Sequence, residues 1–303
     1  MVDRRSAAAL IPGIWVGALG ALRAVSARDA SLDALAGRLA RAGRASPSRA
    51  PWTGLDAARA VLLALILTVS GAVLLFLARL FLSVGFLFGE GFGAIRPGTF
   101  ERLSAGLAPY SAAITTLALG TLLCGSLLYA TLRLSARKYQ QPLAVLGFRR
   151  VEWRVYGAVA ALFLPVMLIG LIVTRLETVL LGTPPSNPQF ALLTRGMPAL
   201  PLNFLLLFLL LAVIMPVAEE TFFRGFLYRL LRNRLPVWAA ASISAAAFAA
   251  LHGVPVLFPW LFCLGLVYAL LAERTGSLYP GMLLHGMTNA LATLSIVVIL
   301  AGW

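Results

Sequence analysis

The sequence predicts an all-α fold, a polytopic membrane helical bundle with about seven to eight transmembrane helices. Three observations support this class. The chain has 303 residues of which 60% are hydrophobic and only 12% charged, and its mean hydropathy is +0.91. Its apolar runs are long enough for helices that cross a hydrocarbon core, which need about 20 residues each. Short segments of alternating polarity, which indicate an outer-membrane barrel, are absent from the sequence.

Residues 1–60 form a basic leader that precedes a membrane domain over 61–303. Within the leader, Ser6 to Leu22 is moderately apolar and could be a signal peptide, but Pro12 and Gly13 interrupt it and no clear cleavage site follows. An interfacial or weakly spanning helix is therefore the favoured interpretation. The spans predicted after the leader are 61–88, 103–132, 155–174, 201–222, 237–251, 257–272 and 280–300.

Basic residues predict the orientation, because cytoplasmic loops carry an excess of Arg and Lys. With the N-terminus in the cytoplasm, all but five of the 25 basic residues fall on the cytoplasmic side. The use of Arg for every basic residue except Lys138 indicates a bacterial genome, and hence the inner membrane. The net charge is +14. The basic residues that produce it lie between apolar spans, which favours membrane lipid over nucleic acid as the partner. The five exceptions are Arg79, Arg96, Arg102, Arg175 and Arg195.

Ionisable residues inside a bilayer are costly, so those that occur there are functional candidates. Glu219 and Glu220 are the acidic residues that lie within an apolar run, and the two histidines of the chain, His252 and His285, also lie in predicted spans. A turn at Leu235 and Pro236 would place Glu219 and His252 level in an antiparallel hairpin, each about 24 Å from the turn.

Two pairs with i, i+4 spacing place their partners on one helical face: Glu220 with Arg224, and His285 with Asn289. The first pair would hold Glu220 and leave Glu219 to react. A carboxylate, an imidazole and hydrogen-bond donors suit the hydrolysis of a peptide bond. A zinc ion held by Glu219, His252 and His285 would suit the same reaction equally well. Sequence spacing alone does not distinguish the metal-free site from the zinc site.

Three motifs occur in order at these positions: Glu219-Glu220-x-x-x-Arg224, Phe248-x-x-x-His252 and His285-x-x-x-Asn289. They resemble the motifs of the CPBP membrane proteins, which include the CAAX prenyl protease 2 (Ras-converting enzyme) and the bacterial Abi, bacteriocin-processing and immunity proteins. The resemblance covers about residues 140–300, with a similar LGF stretch at Leu146–Phe148.

The resemblance implies an intramembrane endopeptidase that acts on membrane-anchored or prenylated-type substrates. Glu219 would be the general base with His252 as its partner, and His285 with Asn289 would stabilise the oxyanion. Glu220 and Arg224 would be supporting residues, and Phe248 would orient His252. The family implies a metal-independent glutamate mechanism in preference to zinc, so no cofactor is favoured and zinc remains the alternative.

Other interpretations stay open at this point. Each histidine alone could be a polar helix contact, and Asn289 could link helices. A non-enzymatic immunity or scaffold protein of the same fold, or a proton-coupled transporter that uses Glu219 and the histidines as a relay, are the alternative functions. The sequence has no H-E-x-x-H and no G-x-S-x-G motif and no Asp in a predicted span, which argues against three other protease types.

Overall fold

The computed structural model describes residues 52–182 and 197–300. Every regular element in these two ranges is helical, which confirms the all-α class. The apolar stretch Ser6 to Leu22 lies outside the described residues, as does most of the predicted leader. The part of the leader from Gly54 onward belongs to the first described helix.

The helices follow one another along the chain with short connections. They are α1 (Gly54–Gly91), α2 (Thr99–Leu107), α3 (Ser111–Lys138), α4 (Pro142–Leu146), α5 (Trp153–Leu181), α6 (Pro201–Arg232), α7 (Val237–Leu251), α8 (Phe258–Thr275) and α9 (Tyr279–Leu300). Single 3₁₀ turns at Ala108–Tyr110 and Pro255–Leu257 lead into α3 and α8.

Five helical segments of the described residues are long and apolar enough to cross a membrane. They are Gly54–Gly91, Thr99–Lys138, Trp153–Leu181, Pro201–Arg232 and Pro255–Thr275. Each contains one of the predicted spans. The predicted span 237–251 is a helix of 15 residues, too short to cross a hydrocarbon core of about 30 Å upright. The last predicted span, 280–300, lies within α9.

The start of α1 is fixed to the end of α3. Thr53 and Asp56 form a capping box in which each satisfies a backbone N–H of the other. Asp56 is buried and its Oδ2 also lies 2.6 Å from Nζ of Lys138. Trp52, which is 1% exposed, packs edge-on against Tyr139 and Phe226. The first helix is thereby attached to both α3 and α6 at one end of the bundle.

Helix α6 is one continuous element, but two stretches of it are π-helical, Leu209–Ile214 and Thr221–Tyr228. A π-helix replaces i→i−4 bonds by i→i−5 bonds, so it shifts the register of the side chains and occurs often at functional sites. The six α-helical residues between these stretches, Met215–Glu220, end on the two glutamates. The predicted hairpin turn is confirmed, since Pro236 caps the start of α7.

The LGF stretch fixes the beginning of α9, the helix that bears His285. Gly147 has a φ of 101°, which favours glycine, and a Cβ there would lie 2.5 Å from Nη2 of Arg229. The Gly147 carbonyl accepts a bond from the Leu278 N–H at 2.9 Å, and the Ser277 hydroxyl donates to the Arg149 carbonyl. The loop before α5 thus holds the residues that lead into α9.

Candidate active site

The predicted site residues come from three helices. Glu219 and Glu220 lie on α6 at the junction of its α-helical and second π-helical stretches. His252 caps the C-terminal end of α7. His285 and Asn289 lie one turn apart in the first half of α9. The helices α6 and α7 pack as the predicted hairpin, since the Ser244 hydroxyl donates to the Phe223 carbonyl at 3.0 Å.

His285 lies between the two glutamates. Its Nδ1 is 3.1 Å from Oε1 of Glu220, and its Nε2 is 3.7 Å from Oε2 of Glu219. The first distance is a hydrogen bond, in which Nδ1–H donates because a carboxylate accepts; the second is longer than a hydrogen bond. The imidazole of α9 therefore connects both acidic side chains of α6.

Glu220 is also the partner of Arg224, as its spacing predicts. Nη1 of Arg224 donates to Oε1 of Glu220 at 2.8 Å, and Nη2 donates to the Gly265 carbonyl of α8 at 3.1 Å. The side chains of both ion-pair partners are almost fully buried, with 1% exposure for Glu220 and 0% for Arg224. The guanidinium also lies 4.6 Å from the ring centroid of Phe248. Such a charge is tolerated in a low-dielectric interior only when it is paired and hydrogen-bonded.

The two glutamates differ in access. The Glu219 side chain is 14% exposed, whereas that of Glu220 is 1% exposed. A base that activates water must have exposed surface, and Glu219 has more of it than Glu220. Counting formal charges, Arg224 balances Glu220, and a protonated His285 would balance Glu219.

His252 is oriented by Phe248, as the sequence predicts. Its Nδ1 lies 2.8 Å from the Phe248 carbonyl. A carbonyl oxygen only accepts, so Nδ1 carries the proton and Nε2 is the nitrogen with a lone pair in the neutral ring. The Phe248 ring is in edge-on contact with His252 at 4.8 Å and with His285 at 5.7 Å between centroids. One aromatic ring thus joins the two histidines of α7 and α9.

Asn289 links α9 to α6. Its Nδ2 donates to the Leu211 carbonyl at 2.8 Å, in the first π-helical stretch, where carbonyls lose their regular helical partners. The neighbouring Gly286 allows this approach, because a Cβ there would lie 2.7 Å from the Ala212 carbonyl oxygen. One amide N–H of Asn289 therefore links two helices, which was one of the interpretations of this residue from sequence. A primary amide has a second N–H, which this bond does not use.

Two further residues contact His285 and were not among the sequence-derived candidates. Tyr268 of α8 is fully buried and its ring stacks on the imidazole, and its hydroxyl bonds to Thr288. Tyr268 lies in an apolar run without charged residues or a recognisable motif around it, so the sequence alone did not indicate a role for it. Thr288 lies three residues after His285, inside the third motif.

The metal hypothesis requires Glu219, His252 and His285 to converge as ligands. Among the described residues, no group of three or more His, Cys, Asp and Glu side chains is arranged to hold a metal ion. These residues as placed do not form a zinc shell.

An apolar cavity of about 470 Å³ is lined in part by residues that neighbour the site residues in sequence. It lies between α1, α6 and α7, and all its wall residues are apolar. Phe222 and Phe223 in its wall closely follow Glu220, and Leu251 directly precedes His252. The wall is formed mainly by Val61, Leu62, Leu65, Phe222, Leu227 and Leu251.

Comparison with known proteins places this chain in a wider group. A family model described as type II CAAX prenyl endopeptidase Rce1-like matches residues 201–291, which include all four candidate catalytic residues. An uncharacterized 24.3 kDa protein of Escherichia coli is 31% identical over 181 residues, which cover 57% of this chain and 75% of that protein. No solved structure matches.

Proposed function

The chain belongs to the Rce1-like family of type II CAAX prenyl endopeptidases, and from this premise we propose that it is an intramembrane endopeptidase of the glutamate type. The observation that carries the proposal is the meeting of Glu219 with His285 beside the neutralised Glu220–Arg224 pair. A partly accessible carboxylate and an imidazole from two helices form a site with a base and a donor.

In the proposed reaction, the Glu219 carboxylate accepts a proton from a water molecule, and Nε2 of His252 accepts a hydrogen bond from the same water. The water oxygen attacks the carbonyl carbon of the scissile peptide bond. The tetrahedral intermediate then collapses, the carbon–nitrogen bond breaks, and Glu219 returns the proton to the leaving amine. The first products are a carboxylic acid and an amine; the acid proton then passes to the amine to give a carboxylate and an ammonium ion, so protons and electrons balance.

His285 would stabilise the oxyanion. Its Nδ1 is engaged with Glu220 at 3.1 Å, so the proton that it offers to substrate must be on Nε2. The 3.7 Å between Nε2 and Glu219 is longer than a hydrogen bond, which leaves that donor for the oxygen that becomes negative. The second N–H of Asn289 is the further donor in this proposal.

The apolar cavity supports a substrate with a hydrocarbon anchor. Its walls belong to the same stretches of α6 and α7 that bear the glutamates and His252. A lipid or prenyl chain in this cavity would bring the adjacent peptide bond to Glu219, and remote binding energy of this kind positions the reacting group. The proposed substrate is therefore a peptide or protein that is held in the membrane by an apolar chain.

The location is proposed to be the bacterial inner membrane, with the N-terminus in the cytoplasm. The distribution of Arg in the loops supports this orientation. Fusions of a periplasm-active phosphatase to the loop after α1 and to the loop after α6 test it. Activity of the first fusion alone is the expected result, and activity of the second alone would reverse the topology.

Cleavage by purified protein in lipid vesicles tests the function. Lipid-modified and unmodified peptides are incubated with wild type, Glu219→Ala and His252→Ala, and with Glu101→Ala as a control that changes an exposed glutamate. Turnover by wild type and the control alone is expected. Equal turnover by all four proteins would exclude the proposed site.

Complementation of a deletion strain distinguishes the alternative functions. A scaffold or immunity protein would retain its phenotype in the Glu219→Ala and His252→Ala variants. A transporter would show proton-linked uptake in vesicles. Comparison of membrane-peptide termini between wild-type and deletion strains would identify the natural substrate.

A further inference from the structure

The orientation of the His285 ring determines what its two nitrogens contact. Nδ1 must face Glu220 and Nε2 must face Glu219, two consecutive residues of α6. A half-turn about the bond that joins the ring to Cβ would put Cδ2 and Cε1 where Nδ1 and Nε2 lie, and so would remove both contacts. The imidazole bonds Glu220 on one edge at 3.1 Å, while its other edge is 3.7 Å from Glu219. This one hydrogen bond selects which edge faces Glu220, but the plane and tilt of the ring depend on the packing around it.

The ring of Tyr268 supplies this packing from α8. Its centroid lies 4.9 Å from that of the imidazole, and the two planes are 18° apart, which is a parallel stack. Tyr268 is 0% exposed. The Phe248 ring is nearly perpendicular to the same imidazole, at 85°. A stack and an edge contact together restrict both the position and the tilt of the imidazole.

The Tyr268 hydroxyl is fixed by α9 itself. It lies 3.0 Å from Oγ1 of Thr288, and Thr288 donates its own proton to the His285 carbonyl at 2.8 Å. Since a hydroxyl has one proton, Tyr268 is the donor to Thr288. The hydrogen-bond chain therefore runs from Tyr268 through Thr288 to the backbone of His285.

We propose that Tyr268 is a positioning residue, whose stacked ring holds the plane of the His285 imidazole so that Nδ1 bonds Glu220 and Nε2 faces Glu219. Tyr268 does not touch the substrate in this proposal; it acts through His285. The effect of Tyr268 on turnover rests on the proposed function. The effect of Tyr268 on the orientation of the His285 imidazole does not.

Nitrogen NMR measures that effect directly, because the chain has only two histidines. Protein labelled with ¹⁵N-histidine and carrying a histidine-free affinity tag gives signals from two imidazoles, and a His252→Gln variant assigns them. The nitrogen shifts report which ring nitrogen carries a proton and whether it is hydrogen-bonded. Tyr268→Met, which fills space without a planar ring, is expected to change the His285 signals and leave the His252 signals unchanged.

Two comparisons complete the test. Tyr268→Phe retains the stack and is expected to keep the His285 signals of wild type, and Tyr129→Leu removes a tyrosine that is 53% exposed as a control for loss of the residue type. Unchanged His285 signals in a folded Tyr268→Met protein would overturn the proposal. Should that variant not fold, a nuclear Overhauser contact between the Tyr268 and His285 rings in wild type decides, and its absence would overturn the proposal.

Kinetics separate this inference from the proposed function. Tyr268→Met is expected to lower kcat by about a hundredfold with KM unchanged, because a displaced donor affects the transition state more than binding. Tyr268→Phe is expected to restore most of kcat. If wild type cleaves no peptide while the His285 signals respond, the proposed function fails and the positioning role stands. If wild type cleaves and the signals do not respond, the positioning role alone fails.

Discussion

Oε1 of Glu220 accepts two hydrogen bonds from different helical positions, one from Nη1 of Arg224 at 2.8 Å and one from Nδ1 of His285 at 3.1 Å. One carboxylate oxygen thus joins α6 to α9. The second amino group of Arg224, Nη2, donates to the Gly265 carbonyl of α8. Glu220 is in this arrangement the structural member of the glutamate pair. Glu219 is the reactive member in the proposed mechanism.

Glu220→Gln is expected to destabilise the protein. The substitution leaves the buried Arg224 guanidinium without its counter-charge, which costs about 3–5 kcal/mol when one partner of a buried pair is removed. A lower thermal unfolding midpoint in detergent is the expected result. Glu101→Gln, at an exposed position, is the control that should leave the midpoint in place. A Glu220→Gln midpoint equal to that of wild type would contradict the structural role.

Filling the apolar cavity is expected to affect lipid-anchored substrates selectively. Leu62→Trp places a larger side chain in the cavity wall, whereas Ile66→Trp makes the same kind of change on α1 at a residue that is 52% exposed and outside the wall. We expect KM for a lipid-modified peptide to rise in Leu62→Trp alone, with kcat retained, because binding and not chemistry is impaired. A matching rise with an unmodified peptide would argue against the cavity as the anchor site.

Gly286→Ala is expected to disturb the contact between α9 and the first π-helical stretch. The added Cβ would lie 2.7 Å from the Ala212 carbonyl oxygen, so the helices must separate and the bond from Asn289 to the Leu211 carbonyl lengthens. Overpacking of this kind costs about 1–3 kcal/mol. The unfolding midpoint and the turnover should both fall.

Gly125→Ala is the matched control for that substitution, since nothing lies within 4 Å of the Cβ that it adds. Because alanine is favoured over glycine within a helix, its midpoint should equal or exceed that of wild type. Equal midpoints for Gly286→Ala and wild type would show that the close approach at Ala212 has no energetic importance.

Much of the site could be predicted because its residues either form local pairs along one helix or are ionisable groups that are costly to place in a membrane. Carboxylates and imidazoles in apolar runs are rare, so Glu219, Glu220, His252 and His285 stood out from sequence alone. The pair of Glu220 with Arg224 follows from helical spacing. The hairpin of α6 and α7 follows from two apolar runs and Pro236 between them.

The remaining features depend on contacts between helices that are distant in sequence. The bond of His285 to Glu220 and the stack of Tyr268 on His285 depend on how α6, α8 and α9 pack. The π-helical stretches on both sides of Met215–Glu220 shift the register that a regular helix would give. For Asn289, spacing showed a shared face with His285, but its bond to the Leu211 carbonyl depends on the π-helical stretch of another helix.

Removal of metal ions is expected to leave turnover unchanged. The proposed steps use Glu219, His252 and His285 as proton acceptors and donors, and none requires a Lewis acid. Purified protein is treated with a chelator, its metal content is measured by elemental analysis, and peptide cleavage is compared before and after. Loss of cleavage that zinc alone restores would replace the glutamate mechanism by a metal mechanism.

The central claim is that Glu219 activates the attacking water, and kcat of Glu219→Gln on a membrane-anchored peptide in lipid vesicles tests it most directly. The substitution retains the size of the side chain and removes the basic carboxylate. We predict that kcat falls by at least about a hundredfold, while the thermal unfolding midpoint, measured on the same preparation, stays at the wild-type value. A Glu219→Gln protein that is folded and cleaves the peptide at the wild-type rate would contradict the claim.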